Sequence, residues 1–588
     1  MSAWVERSPE PVRRALLAAA IVLSGFDLFL SRFSIRFATN DDTTMQLIAM
    51  GFYTDGVPSP HLMLVGLPLG FLLKGLYTVF PGVQWYSIIL VGSHFIGSVA
   101  LWYVFLGHWR RGFVFAAFVL GFLFLESELL MQLQFTSATM VLATGGLVLL
   151  LDALLRGQSF RPVAVVVAGF MVALSGFIRF KAMGASVLLA LPLFLIVLGM
   201  LLYRAKRRLS HPAVRSVTAF ALVVVLVLGG GLAFEKFYYA DKPGWVNYFD
   251  YRKQQARVLG YPQLMNDPRL PVLIKQVGWS PNDFFLWQRY FFFDHEIYSS
   301  AHLKTIADEL QFSSGGKAGG FSRQVATLGQ YRVFFQVASA VLLIALLAAP
   351  LASWAVILMM AGWSALVIYG FVTFMRLPAQ LALPVIFVAT VLIAFSGCIQ
   401  SAGLPSRWRM ALAALPGCFL LFVLGVHVDE QSSLSSKNDR ASVSALTQME
   451  NLRRLDPNGT FLNWLAVLRV EDMSPLTPPA QIPRLRTINT GWQTFSPLSD
   501  AFLNRKSPGD VYRGIFAPRK QDGGNLWLML PRGEKQARYY MGLITRFMRE
   551  HHGSMVARAQ VVSPRGAHVH LLLPGNENGE RPVERDAP

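Results

Sequence analysis

The sequence predicts an α-helical polytopic membrane protein with a soluble α/β domain at its C-terminal end. Hydrophobic residues make up 53% of the 588 residues and charged residues only 15%, whereas soluble domains carry about 25% charged residues. The mean hydropathy is +0.43. Apolar runs of about 20 residues, the length that crosses a bilayer, recur through most of the chain, and a polar stretch follows them.

We count about eleven transmembrane helices from these runs. Their approximate cores are 14–30, 87–107, 112–129, 135–155, 162–178, 183–203, 215–234, 332–349, 352–373, 378–398 and 409–427. A further apolar stretch, 61–80, contains Lys74 and ends at Pro81. Its composition alone does not decide whether it crosses the membrane.

The distribution of cations decides how 61–80 is placed. If this stretch lies in the membrane interface, every short loop rich in Lys and Arg falls on the cytoplasmic side, as the positive-inside rule requires. Those loops hold Arg110, Arg111, Arg156, Arg161, Arg204, Lys206, Arg207, Arg208, Arg215, Arg407 and Arg409. We therefore predict that 61–80 is a re-entrant or interfacial helix in a cell (inner) membrane protein whose N-terminus is cytoplasmic.

Charge and cysteine content exclude two other classes. The net charge of +19 would suggest nucleic acid in a soluble protein, but here the cations belong to membrane loops, so no nucleic-acid partner is expected. The two cysteines, Cys398 and Cys418, both lie in apolar spans and provide neither a disulfide framework nor a cysteine metal site. The first apolar run has no small-residue cleavage site after it and is predicted to be retained.

This topology divides the chain into a membrane domain, 1–427, and a soluble extracytoplasmic α/β domain, 428–574, followed by a disordered tail, 575–588. The membrane domain has two extracytoplasmic segments, a first loop at 31–86 with interfacial helices and a large loop at 235–331. Within the soluble domain we predict strands and one helix from their periodicity. The strands are Val511–Phe516, Leu526–Leu530, Val556–Val562 and His568–Leu573, and the helix is Ala537–Glu550.

A pair of carboxylates, Asp41 and Asp42, follows the first transmembrane helix. Placing carboxylates at the end of a membrane helix costs free energy, so a pair of them at this position indicates a functional role. The segment Thr43–Phe52 after them is interpreted as an amphipathic helix on the membrane surface, which would hold a general base close to a lipid headgroup. The alternative is that the pair caps the helix that begins near Thr43.

Other polar residues collect at the outer ends of the predicted helices. Arg179 and Lys181 lie in a short outer turn and Arg376 precedes a late helix, positions that the positive-inside bias disfavours. They are candidates for binding phosphate; anchoring at the interface is the alternative. The candidates for substrate binding are the polar residues predicted on the same face. They are Asn40, Tyr53, His61, Glu126 and Glu128. The two glutamates could instead pair with the cations for structural reasons, and His61 could be a satisfied polar group.

The arrangement resembles the GT-C class of membrane glycosyltransferases, which includes protein O-mannosyltransferases, lipid A aminoarabinose transferases and arabinosyltransferases. The resemblance covers about residues 10–430. It rests on Asn40-Asp41-Asp42, Pro58-Ser59-Pro60-His61, Ile178-Arg179-Phe180-Lys181 and Met375-Arg376-Leu377-Pro378. Further stretches are similar to a set of bacterial envelope proteins of this type. They are Asp41-Asp42-Thr43-Thr44-Met45, Gln134-Phe135-Thr136, Gly278-Trp279-Ser280, Gly491-Trp492 and Ser496-Pro497.

The resemblance implies a glycosyltransferase that moves a sugar from a polyprenyl-phosphate donor to an envelope glycan, lipid or protein acceptor outside the membrane. It implies that Asp41 or Asp42 is the general base of an inverting displacement. Several members of the class have Asp-Glu where this chain has Asp-Asp, so the choice between the two stays open. The need for a cofactor is also open, because a divalent cation (Mg²⁺ or Mn²⁺) could be held by the Asp pair and Glu126.

Three other functions compete with this interpretation. A lipid-linked sugar transporter or flippase would need polar residues at the membrane midplane, and the midplane stretches here are almost uniformly apolar. An oligosaccharide polymerase or ligase shares the lipid-phosphate donor and differs mainly in its acceptor. A non-catalytic assembly protein should tolerate the loss of both Asp41 and Asp42.

Overall fold

The computed structural model describes residues 10–156, 162–204, 212–259, 267–313, 328–374, 379–399, 407–504, 510–516, 524–531, 533–553, 560–562 and 570–573. Its helices are α1 Glu10–Arg32, α2 Asn40–Ala49, α3 Leu67–Val79, α4 Trp85–Leu106, α5 Gly112–Met131, α6 Phe135–Leu155, α7 Pro162–Arg204, α8 Pro212–Val224, α9 Gly230–Ala240, α10 Pro243–Leu259, α11 Leu270–Gln276, α12 Pro281–Gln288, α13 Ser300–Ser313, α14 Arg332–Ala348, α15 Leu351–Phe374, α16 Ala379–Ser396, α17 Arg407–Leu455, α18 Pro497–Phe502, α19 Asp510–Phe516 and α20 Glu534–His552. Its strands are β1 Arg36–Phe37, β2 Gln132–Leu133, β3 Thr460–Asn463, β4 Arg486–Asn489, β5 Leu526–Leu530, β6 Gln560–Val562 and β7 His570–Leu573. The predicted tail 575–588 lies outside the described residues.

The predicted class of helical membrane protein with an α/β part is confirmed. Within the described ranges, eight helices are long and apolar enough to cross a membrane, and three shorter apolar helices accompany them. Every one of the eleven predicted cores falls on a helix. A π-helical turn, Val225–Gly229, joins α8 to α9 and so continues the seventh predicted span to Ala240.

The fifth and sixth predicted spans form α7, a segment of 43 residues that is interrupted once. Arg179 has φ −157° and ψ 101°, which lies outside the helical region, so α7 consists of two helical pieces. The predicted outer turn therefore narrows to a single extended residue. Phe177, two residues before Arg179, accepts a hydrogen bond from the amide of Gly66 at 2.7 Å, which ties the break to the first loop.

The stretch 61–80 contains α3, a helix of only 13 residues. Thirteen helical residues extend about 20 Å, less than the hydrocarbon core of about 30 Å, so α3 is too short to cross a bilayer by itself. Gly70 lies where α3 meets the preceding loop, and a side chain there would collide with the carbonyl of Pro60.

The predicted surface helix is wrong in position and in environment. It starts at Asn40 rather than Thr43, and every residue from Asp42 to Ala49 is buried. Gln46 donates to Gln84 and Tyr86 donates to Asp42, so residues at the start of α4 bury part of this helix, and Asn489 of the C-terminal part contacts Thr44. These contacts come from outside the segment, so its local pattern could not reveal them.

The C-terminal part is built on a five-stranded sheet of order β4-β3-β5-β7-β6. The pairs β3–β4 and β3–β5 are parallel, and β7 is antiparallel to both β5 and β6. The predicted strand at Val511–Phe516 is wrong, because these residues form α19. Two further strands, β3 and β4, carry too few residues for their alternation to stand out in the sequence.

The predicted boundary at 427/428 lies inside a continuous helix. α17 is 49 residues long and runs from an apolar half into the polar stretch that the sequence places at the start of the soluble domain. Gln431 donates to Glu128 at 2.6 Å, so this helix remains attached to α5 beyond the boundary. The helix thereby carries the membrane part directly into the α/β part.

Three parts of the chain meet at one end of the helical bundle. The C-terminal part touches the first loop where Asn489 donates to Thr44 at 3.2 Å. It touches the 235–331 segment where the Tyr248 hydroxyl donates to the carbonyl of Trp492 at 2.9 Å. The first loop, the 235–331 segment and the C-terminal part therefore share one side of the membrane part.

Candidate active site

The Asp pair is held at the junction between two helix N-termini. Strands β1 and β2 pair in parallel, with Arg36 opposite Gln132 and Phe37 opposite Leu133. Each strand leads directly into a helix, α2 after β1 and α6 after β2. The short sheet therefore sets the first turn of α2, which carries both carboxylates, beside the first turn of α6.

Asp42 has a fully enclosed side chain whose two oxygens accept three hydrogen bonds. Oδ1 accepts from the Tyr86 hydroxyl at 3.0 Å and from the amide of Phe135, the first residue of α6, at 3.0 Å. Oδ2 accepts from the Thr39 hydroxyl at 3.1 Å. Burial raises the pKa of Asp42 to about 8 although these donors oppose the rise. Asp42 is thus a buried connector between α2, α4 and α6.

These contacts revise the capping alternative. The N-cap of α2 is Thr39, so neither Asp caps the helix that the sequence places after the pair. Asp42 instead receives the amide at the start of α6, where the positive end of a helix dipole favours a carboxylate. Asp42 therefore does accept a hydrogen bond from the N-terminus of a helix, but that helix is α6 and not α2.

Asp41 has a different environment from its neighbour. Its side chain is partly exposed, and none of the hydrogen bonds among the described residues engages it. Burial of the carboxylate raises the pKa of Asp41, and the charges of Arg179 and Arg252 act against this rise. A carboxylate with a raised pKa, some exposure and unoccupied oxygens is suited to accept a proton.

Two arginines from different parts of the chain flank Asp41. Arg179, at the break in α7, places its guanidinium 4.5 Å from the centre of the Phe135 ring. Arg252, in α10, donates to the carbonyl of Met63 at 2.5 Å and lies 5.2 Å from the Trp492 ring. The Nε of Arg252 is buried and has no hydrogen-bond partner among the residues that the structure describes. The site thus combines one carboxylate with two guanidinium groups that can bind an anion.

The edge of the C-terminal sheet covers the site on the side away from the helix bundle. Asn463 and Asn489 end the parallel strands β3 and β4, and their side chains are hydrogen-bonded to each other at 2.6 Å. The amide of Asn489 donates to the Tyr53 hydroxyl at 3.3 Å, and its side chain donates to Thr44 in α2. The loop after β4 then brings Trp492 onto Arg252. Tyr53, a predicted substrate-binding residue, is therefore engaged in docking the α/β part.

His61 lies in an aromatic cluster. Its ring stacks on Trp245 with centroids 4.6 Å apart, and Nδ1 is 3.1 Å from the Tyr239 hydroxyl. Burial and the charges of Lys74 and Lys242 lower its pKa to about 4, so the imidazole is neutral at physiological pH. This agrees with the sequence-based alternative of a satisfied polar group.

The two predicted glutamates are directed into the helix bundle. Glu126 is buried, with Oε1 at 2.8 Å from Nδ1 of His94. Glu128 accepts from Gln132 at 2.8 Å and from Gln431. Neither glutamate has a direct contact with Asp41 among the described residues. In the structure the two glutamates thus pair with histidine and amide groups. The alternative suggested by the sequence paired them with the cations.

Three predicted site residues remain, and they are Lys181, Asn40 and Arg376. Lys181 is exposed, and no ion pair in the described ranges joins it to either Asp. Asn40 opens α2 with a partly exposed side chain. Arg376 lies outside the described residues. Of the two predicted cations that the structure describes, Arg179 is the one whose charge acts on Asp41.

A divalent cation held by the Asp pair and Glu126 stays a prediction. The oxygens of Asp42 accept three hydrogen bonds, and Oε1 of Glu126 lies 2.8 Å from Nδ1 of His94. Among the described residues, the group of His, Cys, Asp and Glu with ligand atoms close enough for one ion lies elsewhere, at Asp283, Glu550 and His551.

Sequence reasoning missed Arg252 and Asn489. A signal for Arg252 was available, because Tyr248 and Arg252 are four residues apart in a helical segment and share one face. Nothing in the sequence pointed to Asn489, which reaches α2 only because β4 ends at that edge of the sheet. Both residues come from parts of the chain remote from the Asp pair.

No protein-family model matches the chain, and no curated protein matches it significantly. Two solved structures match over nearly their full length, both of ArnT from Cupriavidus metallidurans, one bound to undecaprenyl phosphate and one in the apo state. Each is 11% identical to this chain, and the TM-score is 0.40. The match covers 96% of this chain and 99% of the ArnT chain.

Proposed function

We propose that this protein is a membrane glycosyltransferase that moves a sugar from a polyprenyl-phosphate donor to an envelope glycan, glycolipid or protein acceptor. The observation that carries the proposal is the position of Asp41 between the charges of Arg179 and Arg252, at the end of a membrane helix bundle. A base beside two cations matches a displacement in which a hydroxyl loses a proton and a phosphate leaves.

Asp41 is the general base of this reaction. Its carboxylate takes the proton of the acceptor hydroxyl while the hydroxyl oxygen forms a bond to the anomeric carbon. The bond from that carbon to the donor phosphate oxygen breaks, and the configuration inverts. Asp42 is unsuited to this step because Tyr86, Phe135 and Thr39 occupy its oxygens.

Arg179 and Arg252 bind the donor phosphate and stabilise the charge that develops on it. Guanidinium groups bind phosphate through paired, charge-assisted hydrogen bonds. The Nε of Arg252 is an unused donor at this place. Phosphate binding would also draw both cations toward the anion and so leave Asp41 freer to accept a proton.

An apolar cavity in the membrane part supports a lipid-linked donor. It has a volume of about 380 Å³ and lies between α14, α15 and α16. Its walls are almost entirely aliphatic and aromatic, with Ser339, Ser364 and Tyr369 as the polar exceptions. An isoprenoid chain has no groups that need hydrogen bonds and fits such walls.

The proposal is tested by sugar transfer from a polyprenyl-phosphate donor in membranes that contain each variant. Asp41→Asn should reduce transfer by a factor of about 10²–10⁴, the usual contribution of a positioned general base. The matched control is Asp55→Asn, since Asp55 is an exposed carboxylate of the same loop. Full activity of Asp41→Asn on a substrate that the parent protein uses would refute the assignment.

The orientation is tested separately by cysteine labelling. In a chain with both natural cysteines replaced by alanine, single cysteines at the exposed positions Lys275 and Asn458 should react with a membrane-impermeant maleimide in intact cells. A cysteine at exposed Arg110 should react only after lysis. The opposite pattern would place the site on the cytoplasmic face.

A further inference from the structure

A cluster of metal-ligand side chains lies outside the candidate active site, where α12 meets the end of α20. Asp283 comes from the first turn of α12, and Glu550 and His551 come from the last turn of α20. One ligand atom from each of the three residues lies within 4.8 Å of the others. The cluster therefore joins the 235–331 segment to the C-terminal α/β part.

The contacts of Asp283 leave one of its oxygens unused. Oδ2 accepts from the amide of Ser280 at 2.7 Å and lies 3.0 Å from Nε2 of His551. Oδ1 has no hydrogen-bond partner within the described part of the chain, although the side chain has no exposed surface. A bare carboxylate oxygen that is fully removed from water is costly, and a bound cation would remove that cost.

The other two residues also have contacts of their own. Glu550 accepts from the Ser280 hydroxyl at 2.9 Å and from Arg546 at 2.7 Å. Its side chain and that of His551 remain 28% and 20% exposed, so an ion can reach the cluster from solvent. Asp283 is thus the buried member of the cluster, and Glu550 and His551 are its solvent-accessible members.

We propose that Asp283, Glu550 and His551 bind a divalent transition-metal ion of the Zn²⁺ type. One imidazole nitrogen with two carboxylate oxygens suits Zn²⁺, whereas Mg²⁺ and Ca²⁺ prefer oxygen ligands alone. Nε2 of His551 lies 3.0 Å from Oδ2 of Asp283, closer than the about 3.4 Å that separates two tetrahedral ligands at about 2.1 Å from one ion, so the imidazole moves slightly away from Oδ2 when the ion enters. Water completes the coordination.

The ion acts as a clamp between two parts of the chain that enclose the candidate active site. α12 and α20 also meet through Asn282, which donates to the carbonyl of Leu543 at 2.9 Å. A second histidine, His552, lies 3.2 Å from Asp294 in the same interface. The clamp is independent of the proposed transferase chemistry, because none of its three ligands contacts Asp41, Arg179 or Arg252 in the described structure.

The test measures metal binding by the full-length protein in detergent, purified with a tag that contains no histidine. After chelator treatment and dialysis, titration with ZnCl₂ should give one equivalent of tightly bound zinc by calorimetry and elemental analysis. CoCl₂ should give the visible absorption of a low-symmetry cobalt site. His551→Gln, which keeps a donor for Asp283, should weaken zinc binding by more than about 100-fold, beyond what outer-shell changes cause.

Two further variants keep the test decisive. Glu550→Gln alters the most exposed ligand and should weaken binding even if His551→Gln does not fold. His302→Gln is the matched control, because His302 is bonded to the carbonyl of Ile297 and lies outside the cluster. Zinc should raise the melting temperature of the parent and of His302→Gln only. Absence of stoichiometric zinc in the parent, or equal binding by Glu550→Gln, would overturn the site and leave a His–Asp ion pair.

Discussion

Replacing Arg252 with Gln separates an electrostatic role for this residue from a purely structural one. Arg252 is one of two cations whose charge lowers the pKa of Asp41, and it also holds the loop before α3 through the carbonyl of Met63. An opposite charge within about 4–6 Å lowers a carboxyl pKa by 1–3 units. Since Arg252 has the smaller of the two effects, its removal should raise the pKa of Asp41 by less than removal of Arg179 would.

The sign of the shift follows from the base role. Asp41 is active when it is deprotonated, so kcat/KM should rise with pH through its pKa and level off above it. Arg252→Gln removes an influence that lowers the pKa of Asp41 and should therefore move this acidic limb to higher pH. Loss of a charged hydrogen bond to the donor phosphate, about 1.5–3 kcal/mol, should also reduce the plateau by roughly 10- to 150-fold.

The assay is the pH dependence of sugar transfer by the purified protein in proteoliposomes, with two companion variants. Arg252→Lys keeps the charge and loses the paired donors, so its limb should stay in place while its plateau falls. Lys253→Gln removes an exposed charge from the neighbouring position and should match the parent in both respects. An Arg252→Gln protein with a lower plateau but an unmoved limb would refute the electrostatic role and reduce Arg252 to a support for Met63.

Three further predictions concern the supports of the site. Asp42→Asn should keep most activity. Because folding raises the pKa of Asp42 from 3.8 to about 8, the parent should lose stability relative to Asp42→Asn as the pH rises from about 4 to about 8. Thermal unfolding in detergent measures this difference, and parallel stability curves for the two proteins would contradict the buried carboxyl. Asn489→Ala removes the bonds to Thr44 and should lower the unfolding free energy by about 1–3 kcal/mol, while unchanged protease sensitivity would show that the α/β part docks by other contacts. Gly70→Ala should destabilise the protein, because the added methyl group would collide with the carbonyl of Pro60. Gly75→Ala on the same helix has open space around it and should be neutral or stabilising. Equal melting temperatures for the two variants would refute the packing of α3.

The sequence was sufficient for features that depend on local composition. Apolar runs of bilayer length and the placement of cations indicated the membrane helices, and each predicted core falls on a helix in the structure. The cost of placing carboxylates beside a membrane helix singled out the Asp pair. The exceptions are also local in origin: Val511–Phe516 alternates like a strand but is helical, and β3 and β4 are only four residues long.

The tertiary structure decided what each member of the Asp pair can do. Asp41 and Asp42 are adjacent and chemically identical, and they differ only because β1–β2 pairing directs Asp42 toward the start of α6 and leaves Asp41 facing Arg179 and Arg252. Contacts between residues more than 90 positions apart leave no trace in spacing or periodicity. For the same reason α2 looked like a surface helix, since part of what buries it, the sheet edge at Asn489, comes from the far end of the chain.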